Sequence, residues 1–166
     1  MDARHALRRY AVISGNGHDV EFRVNGLIHC LHRVNGGCGS ILADNEDALI
    51  VNLLDSKLAA PNPDFLSYTL SKQALAGFTE LSARALASKG IRVNGIAPAL
   101  MLRSNGQSEE NYERVHARNP LGRGVEPDDV VSAIRYFASA RAVTGQVLVI
   151  DGGQHFSPPE RDVQFL

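Results

Sequence analysis

At 166 residues, with 17 basic and 18 acidic side chains and a formal net charge of −1, the chain has the length of one domain with a core of its own. Nothing in its charge balance draws it to nucleic acid or to an anionic membrane. No apolar run approaches the ~20 residues of a membrane span and the N-terminus lacks the apolar stretch of a signal peptide, so the expected location is cytoplasmic, and two cysteines make no disulfide framework.

The first 39 residues are unlike the rest. They hold both cysteines, four of the six histidines and six glycines, but no proline. Tyr10 to Ser14 reads as a strand, and Gly15-Asn16-Gly17 follows it as the nearest candidate for a phosphate-binding turn. Val20 stands where a third glycine belongs, and Asp19 to Val24 alternates like a strand, so the Gly-x-Gly reads as an ordinary turn. His29, Cys30, His32 and Cys38 are crowded into ten residues, whereas structural zinc sites space their ligands in separated pairs; no metal site is assigned. The expected division is therefore an atypical segment over 1–39, a remnant or frame-shifted piece, and an α/β body over 40–166.

From residue 48 the elements follow in order. Ala48 to Leu54 is a branched apolar run, too short for a membrane and suited to a parallel strand buried on both faces, closed by Asp55. Pro61 to Asp64 is a loop. A helix is predicted over 67–88 with Leu75, Phe78, Leu81 and Leu86 as its buried face, stopped by Lys89-Gly90. Ile91 to Pro98 reads as a second strand, in which Asn94 is assigned a structural hydrogen-bonding role. Ser108-Glu109-Glu110 starts a short helix ending before Pro120. Pro127, with Asp128 and Asp129 at the positive end, starts another whose Val130, Val131, Ile134 and Phe137 face inward. Val143 to Asp151 is a strand ended by Gly152-Gly153, and the proline-rich tail from Ser157 is expected to pack loosely. His116 and His155 read as surface residues.

Tyr68 and Lys72 carry the chemistry. Four residues apart on a helix, they share one face, and a cation beside a phenol favours loss of a proton normally held until pH ~10. Asp55, thirteen residues earlier at the carboxyl end of a strand, stands where open α/β sheets bind ligands. Each has a plainer reading. The pair suits the surface of an amphipathic helix, Asp55 suits a turn cap, and Ser56 is one residue from taking its place.

Tyr68-x-x-x-Lys72, Arg92-Val93-Asn94-Gly95-Ile96-Ala97-Pro98 and Val143-Thr144-Gly145-Gln146 with Asp151-Gly152-Gly153 occur in the order of one family: residues from about 47 to 156 resemble the C-terminal half of a short-chain dehydrogenase/reductase. The family usually has serine where this chain has Asp55, and the acid is similar to pteridine reductases and dihydromonapterin reductases. The resemblance implies an α/β fold, a partial Rossmann-like three-layer sandwich on a parallel sheet, with the N-terminal nucleotide-binding half abbreviated or missing. It makes Tyr68 the proton donor, Lys72 the residue that lowers its pKa and holds the nicotinamide ribose, and Asp55 the partner acid. Pro98, Ala99 and Leu100 match the segment that lies against the nicotinamide. Ala99 departs from the family's glycine, and Met101 from a small polar residue.

The implied activity is an NADPH-dependent reductase, with NADH left open, passing hydride to the C=N or C=O carbon of a pterin-like or carbonyl compound. A carboxyl group suits C=N, because it relays a proton to the ring nitrogen. A homo-oligomer through the 67–88 helix is implied as well. The family's glycine-rich cofactor turn and its Asn-Asn-Ala-Gly segment have no counterpart, so the competing expectation is a non-catalytic, truncated relative that acts as a fold fragment or interaction protein.

Overall fold

The structure, a computed structural model, describes residues 10–14 and 48–166. The boundary expected at 39/40, the Gly15-x-Gly17 turn and the His/Cys cluster lie outside the described residues. Strand β1 (Tyr10–Ser14) is followed by β2 (Ala48–Leu53), helix α1 (Leu66–Leu86), β3 (Ile91–Pro98), α2 (Glu109–His116), α3 (Pro127–Ser139) and β4 (Val147–Ile150). The strands form one parallel sheet in the order β1-β2-β3-β4. Tyr10 to Ser14 is thus a strand, as its sequence suggests, and it covers the edge of β2 that would otherwise be open to pairing with another chain.

Both faces of the sheet are covered, which is why β2 is apolar without alternation. Ala48 and Ile50 of β2, with Ile91 and Val93 of β3, pack under Ala83 and Leu86 of α1. Leu49, Val51 and Ile96 point the other way, onto Val130, Ala133 and Phe137 of α3. The result is three layers, α1 over the sheet over α3. Near the ligand end, Leu54 and Ala97 meet Leu75 and Phe78. Gly95 permits this packing, since a Cβ there would lie 2.5 Å from Leu54 Cδ1.

Polar groups inside the layers tie elements together. Asn52 donates to Thr79 Oγ1 at 2.9 Å, which links β2 to α1. Asn94 has the structural role its position implies, donating to Val143 O and accepting from the Gln146 backbone N–H. Arg92 donates to the carbonyl oxygens of Phe137 and Ala140 at the end of α3.

Helix boundaries follow their caps. Ser108 accepts from Asn111 N at the start of α2, and at the start of α3 the Glu126 N–H donates to Asp129 Oδ2 at 2.9 Å across Pro127. Gly90 ends the 3₁₀ turn after α1 in the left-handed conformation, φ 68°.

Three expectations are corrected. Leu81 is 65% exposed, because Leu75, Phe78, Ser82 and Leu86 define the arc of α1 that meets the sheet and Leu81 projects from the opposite side. Val131 is at the rim of the α3 contact and not in it. The tail is not loose: Arg161 and the Asp162 N–H donate to Asp64, Phe165 stacks on Phe65 at 5.5 Å, and the Leu166 carbonyl accepts from Asn111 and Arg114. Charge pairing and ring stacking outweigh the disordering effect of its prolines.

Candidate active site

Strand β2 delivers Asp55 to the sheet's carboxyl edge. Asp55 is extended, φ −153°, and its Oδ1 accepts from Lys57 N at 2.8 Å to cap the short turn Ser56–Leu58. Its Oδ2 accepts from Tyr68 Oη at 2.6 Å, a short bond of the charge-assisted kind. Cap and acid are therefore one residue, one oxygen for each. Ser56 belongs to the turn that Asp55 caps.

Lys72 lies one turn beyond Tyr68, with only 5% of its surface exposed. Its ammonium donates to Leu53 O at 2.9 Å and sits 5.5 Å from the centre of the Tyr68 ring. A buried ammonium needs such partners, and here the last carbonyl of β2 is one of them. The helix begins just before the pair at Phe65, whose φ of 54° is the one positive value among non-glycine residues described. Phe65 is held in that strained state by Phe165 stacked on it and by Lys57, 5.1 Å from its ring centre.

A cavity of about 410 Å³ opens over this constellation, lined by Asp55 and Tyr68 on one side and by Ala99, Leu100 and Asn105 after β3 on another. The loop after β4 adds His155, and the tail adds Asp162 and Gln164. Pro98 is the last residue of β3, and Ala99 N donates to Ile150 O at 2.9 Å. Ala99 has no positive φ, so its β-carbon strains nothing. Met101 packs among the apolar residues under α3 while its carbonyl accepts from Tyr112, so the departure at this position falls on the core.

The rest of the wall comes from residues that no sequence motif marks. His155 Nδ1 is 2.7 Å from Asp151 Oδ2, and His116 bonds Val125 O and stacks on Tyr112, so neither is a bare surface residue. Burial acts to raise the Asp151 carboxyl, but the His155 ring and the N–H groups of His155 and Gly153 outweigh it and hold the group below the usual carboxylate range. The i, i+4 spacing of Asp151 and His155 was a usable signal. Lys57 Nζ meets Asp162 Oδ2 at 2.5 Å, and hydrogen bonds from Arg161 and from the Asp162 N–H hold Asp64 low; these pairs span the chain and leave no local pattern. Among the described residues no group of three or more potential ligands gathers to hold a metal, and no helix is long and apolar enough to cross a membrane.

Known proteins resemble this chain in sequence and fold. The family model described as enoyl-(acyl carrier protein) reductase matches residues 17–155. A 3-oxoacyl-[acyl-carrier-protein] reductase of Staphylococcus epidermidis is 29% identical over 140 residues, 82% of this chain and 56% of its own. The NADP complex of FolM, alternative dihydrofolate reductase 1, from Brucella canis is 34% identical with a TM-score of 0.72, over 93% of this chain and 66% of that one. A 4-hydroxyisoleucine dehydrogenase complexed with NADH is 30% identical with a TM-score of 0.62, over 78% and 54%. The chain thus spans little more than half the length of the 3-oxoacyl-[acyl-carrier-protein] reductases it matches.

Proposed function

Because the chain belongs to the short-chain dehydrogenase/reductase family, we propose that it is an NADPH-dependent reductase in which Tyr68 delivers a proton to the substrate. The observation that carries this reading is the 2.6 Å bond between Tyr68 Oη and Asp55 Oδ2, placed at the mouth of a cavity with the Lys72 ammonium behind the ring.

The donor set fits the nicotinamide end of a dinucleotide. An ammonium with three N–H donors and a phenol one helical turn away suit a ribose diol, and the Pro98–Leu100 segment, free of strain at Ala99, suits a flat ring laid against it. When bound, the reduced nicotinamide supplies the hydride.

The chain's own residues handle the proton. Lys57 N–H fixes Oδ1 of Asp55, so Oδ2 stays aimed at the Tyr68 hydroxyl. As the proton leaves Tyr68, negative charge grows on its oxygen, and the fixed Lys72 ammonium stabilises that charge without having to reorganise. Asp55 takes up a proton from solvent at the open cavity and passes it to the Tyr68 oxygen along the same hydrogen bond, which restores the phenol. A carboxyl group in place of a hydroxyl favours a C=N acceptor, whose nitrogen must be protonated as its carbon is reduced. The NADP complex of the 34% identical alternative dihydrofolate reductase supports NADPH, with NADH left open, and a pterin-like substrate ahead of a simple carbonyl compound.

The reading includes a homo-oligomer through α1. Leu66, Leu70, Gly77 and Leu81 recur along the side of that helix turned away from the sheet; the three leucines are 52–65% exposed, and a Cβ on Gly77 would meet nothing within 4 Å.

The test is a thermal melt with and without NADPH, followed by loss of NADPH absorbance with dihydrofolate and, separately, with a 3-oxoacyl thioester. A rise in melting temperature and turnover of dihydrofolate support the reading. A melt indifferent to NADPH overturns it and leaves the competing one, a relative that keeps the catalytic helix as a fold fragment or interaction protein.

A further inference from the structure

The cavity has further polar lining that the proton chemistry leaves unused. Asp151, 4% exposed, closes the turn after β4 with its two oxygens: Oδ1 accepts from Gly153 N at 2.9 Å and Oδ2 from His155 N at 2.9 Å. The turn is therefore complete without the His155 ring. Even so, the ring is fixed, with Nδ1 2.7 Å from Oδ2 and its edge against Phe156, ring centres 4.3 Å apart.

Asp151 is held below the usual carboxylate range, so it is ionised and accepts only; Nδ1 therefore carries the proton that joins them. In the neutral ring Nε2 is left as an acceptor, and it makes no hydrogen bond among the described residues. His155 lines the same cavity as Asp55 and Tyr68, together with Asn105 and Gln164.

We propose that His155 is a substrate-binding residue: oriented by Asp151, it accepts through Nε2 a hydrogen bond from an N–H group on the part of the substrate remote from the reduced bond. This rests on the reductase reading and narrows its substrate class. A simple ketone offers no N–H, whereas a 2-amino-4-oxopyrimidine ring, fused to the C=N bond in a dihydropterin, carries N–H donors beside a carbonyl. The amides of Asn105 and Gln164 have both a donor and an acceptor with which to meet the remainder of such an edge. Asp151 is a positioning residue, acting through the ring it holds.

The experiment compares the 166-residue chain with His155→Ala and His155→Gln, saturated with NADPH, using dihydrofolate as the probe. The alanine variant is expected to raise KM about five- to tenfold, the loss of one hydrogen bond, with kcat within twofold and NADPH affinity unchanged. Glutamine, which returns a polar atom to the place of Nε2, is expected to recover most of that loss. Unchanged KM, a fall in kcat alone, or weakened NADPH binding overturns the proposal while the reductase reading stands. If the unsubstituted chain neither binds nor reduces dihydrofolate, the parent reading fails and this one with it. Should the alanine variant not fold, His155→Phe, which keeps a ring in place and removes Nε2, gives the same reading: KM rises by a similar factor, and an equal KM overturns the proposal.

Discussion

Lys57 Nζ and Asp162 Oδ2 meet at 2.5 Å although one follows β2 and the other lies four residues from the C-terminus, and both side chains are close to nine-tenths buried. The same ammonium reaches Asp64 O at 3.2 Å, so one cation gathers the loop that bears Asp55 and the tail that walls the cavity. Replacing Lys57 with methionine leaves Asp162 buried without its partner. The expected cost is about 1–3 kcal/mol, below that of a fully buried pair because some solvent reaches this one. A lowered urea midpoint with unchanged m-value, and faster proteolysis after residue 157, check it.

Asp55 and Tyr68 have jobs that mutagenesis separates. Tyr68→Phe keeps the ring beneath which Lys72 sits but removes the proton, so kcat/KM for dihydrofolate is expected to fall by about 10² to 10⁴ with NADPH affinity retained. Asp55→Asn keeps an oxygen to cap Lys57 N and loses the carboxylate, so it lowers turnover with little change in melting temperature. Asp55→Ala loses both. It is expected to cost a further ~1 kcal/mol of stability, the usual value of a cap. Equal melting temperatures for the asparagine and alanine variants would contradict the capping role.

Acid should act through Asp151. Its carboxyl is lower in the folded chain than the ordinary value of 3.8, so the unfolded chain takes up its proton first as pH falls. The stabilisation is then complete above about pH 4–5 and is lost as pH drops through the depressed folded value. Asp151→Asn removes this contribution. The stability gap between the two chains is expected to hold steady from pH 7 to about 5 and to shrink below 4, measured by urea unfolding at each pH.

Gly95 is packed and not merely flexible. A β-carbon at this residue of β3 would lie 2.5 Å from Leu54 Cδ1 and 3.2 Å from Val147 Cγ2, and Leu54 is itself 3% exposed with little room to move. Gly95→Ala is expected to destabilise by about 1–3 kcal/mol, the usual range for overpacking. Adding Leu54→Ala should make the pair less costly than the sum of the single changes, which a double-mutant cycle reads directly.

How much of this was legible in the sequence depended on range. The strand run ending at Asp55, the Tyr68-x-x-x-Lys72 face and the Ser108 and Pro127 helix starts are local patterns, and each appears where its spacing placed it. Leu81 departs from the expected face because α1 has two apolar sides, and composition alone does not say which one meets the sheet. The tail departs from expectation for a different reason. Proline content speaks to local conformation, whereas Asp162, Arg161 and Phe165 are held by Lys57, Asp64 and Phe65 about a hundred residues earlier. His155 lay between these cases, four residues from Asp151 and readable as a pair only once the turn between them was known.

The second apolar side of α1 is open to a partner. Leu70 and Leu81, 52% and 65% exposed, lie on the side of the helix opposite Leu75 and Leu86, and a charge placed there touches nothing in the folded chain's core. In a self-associating protein the two leucines would be buried against a second copy, and a glutamate would have to be desolvated there without a partner. Leu70→Glu and Leu81→Glu are therefore expected to leave the melting transition of the single chain cooperative while shifting sedimentation from an oligomer to one copy at micromolar concentration. An unsubstituted chain that already sediments as a single copy, or an oligomer that survives both charges, removes α1 as the interface.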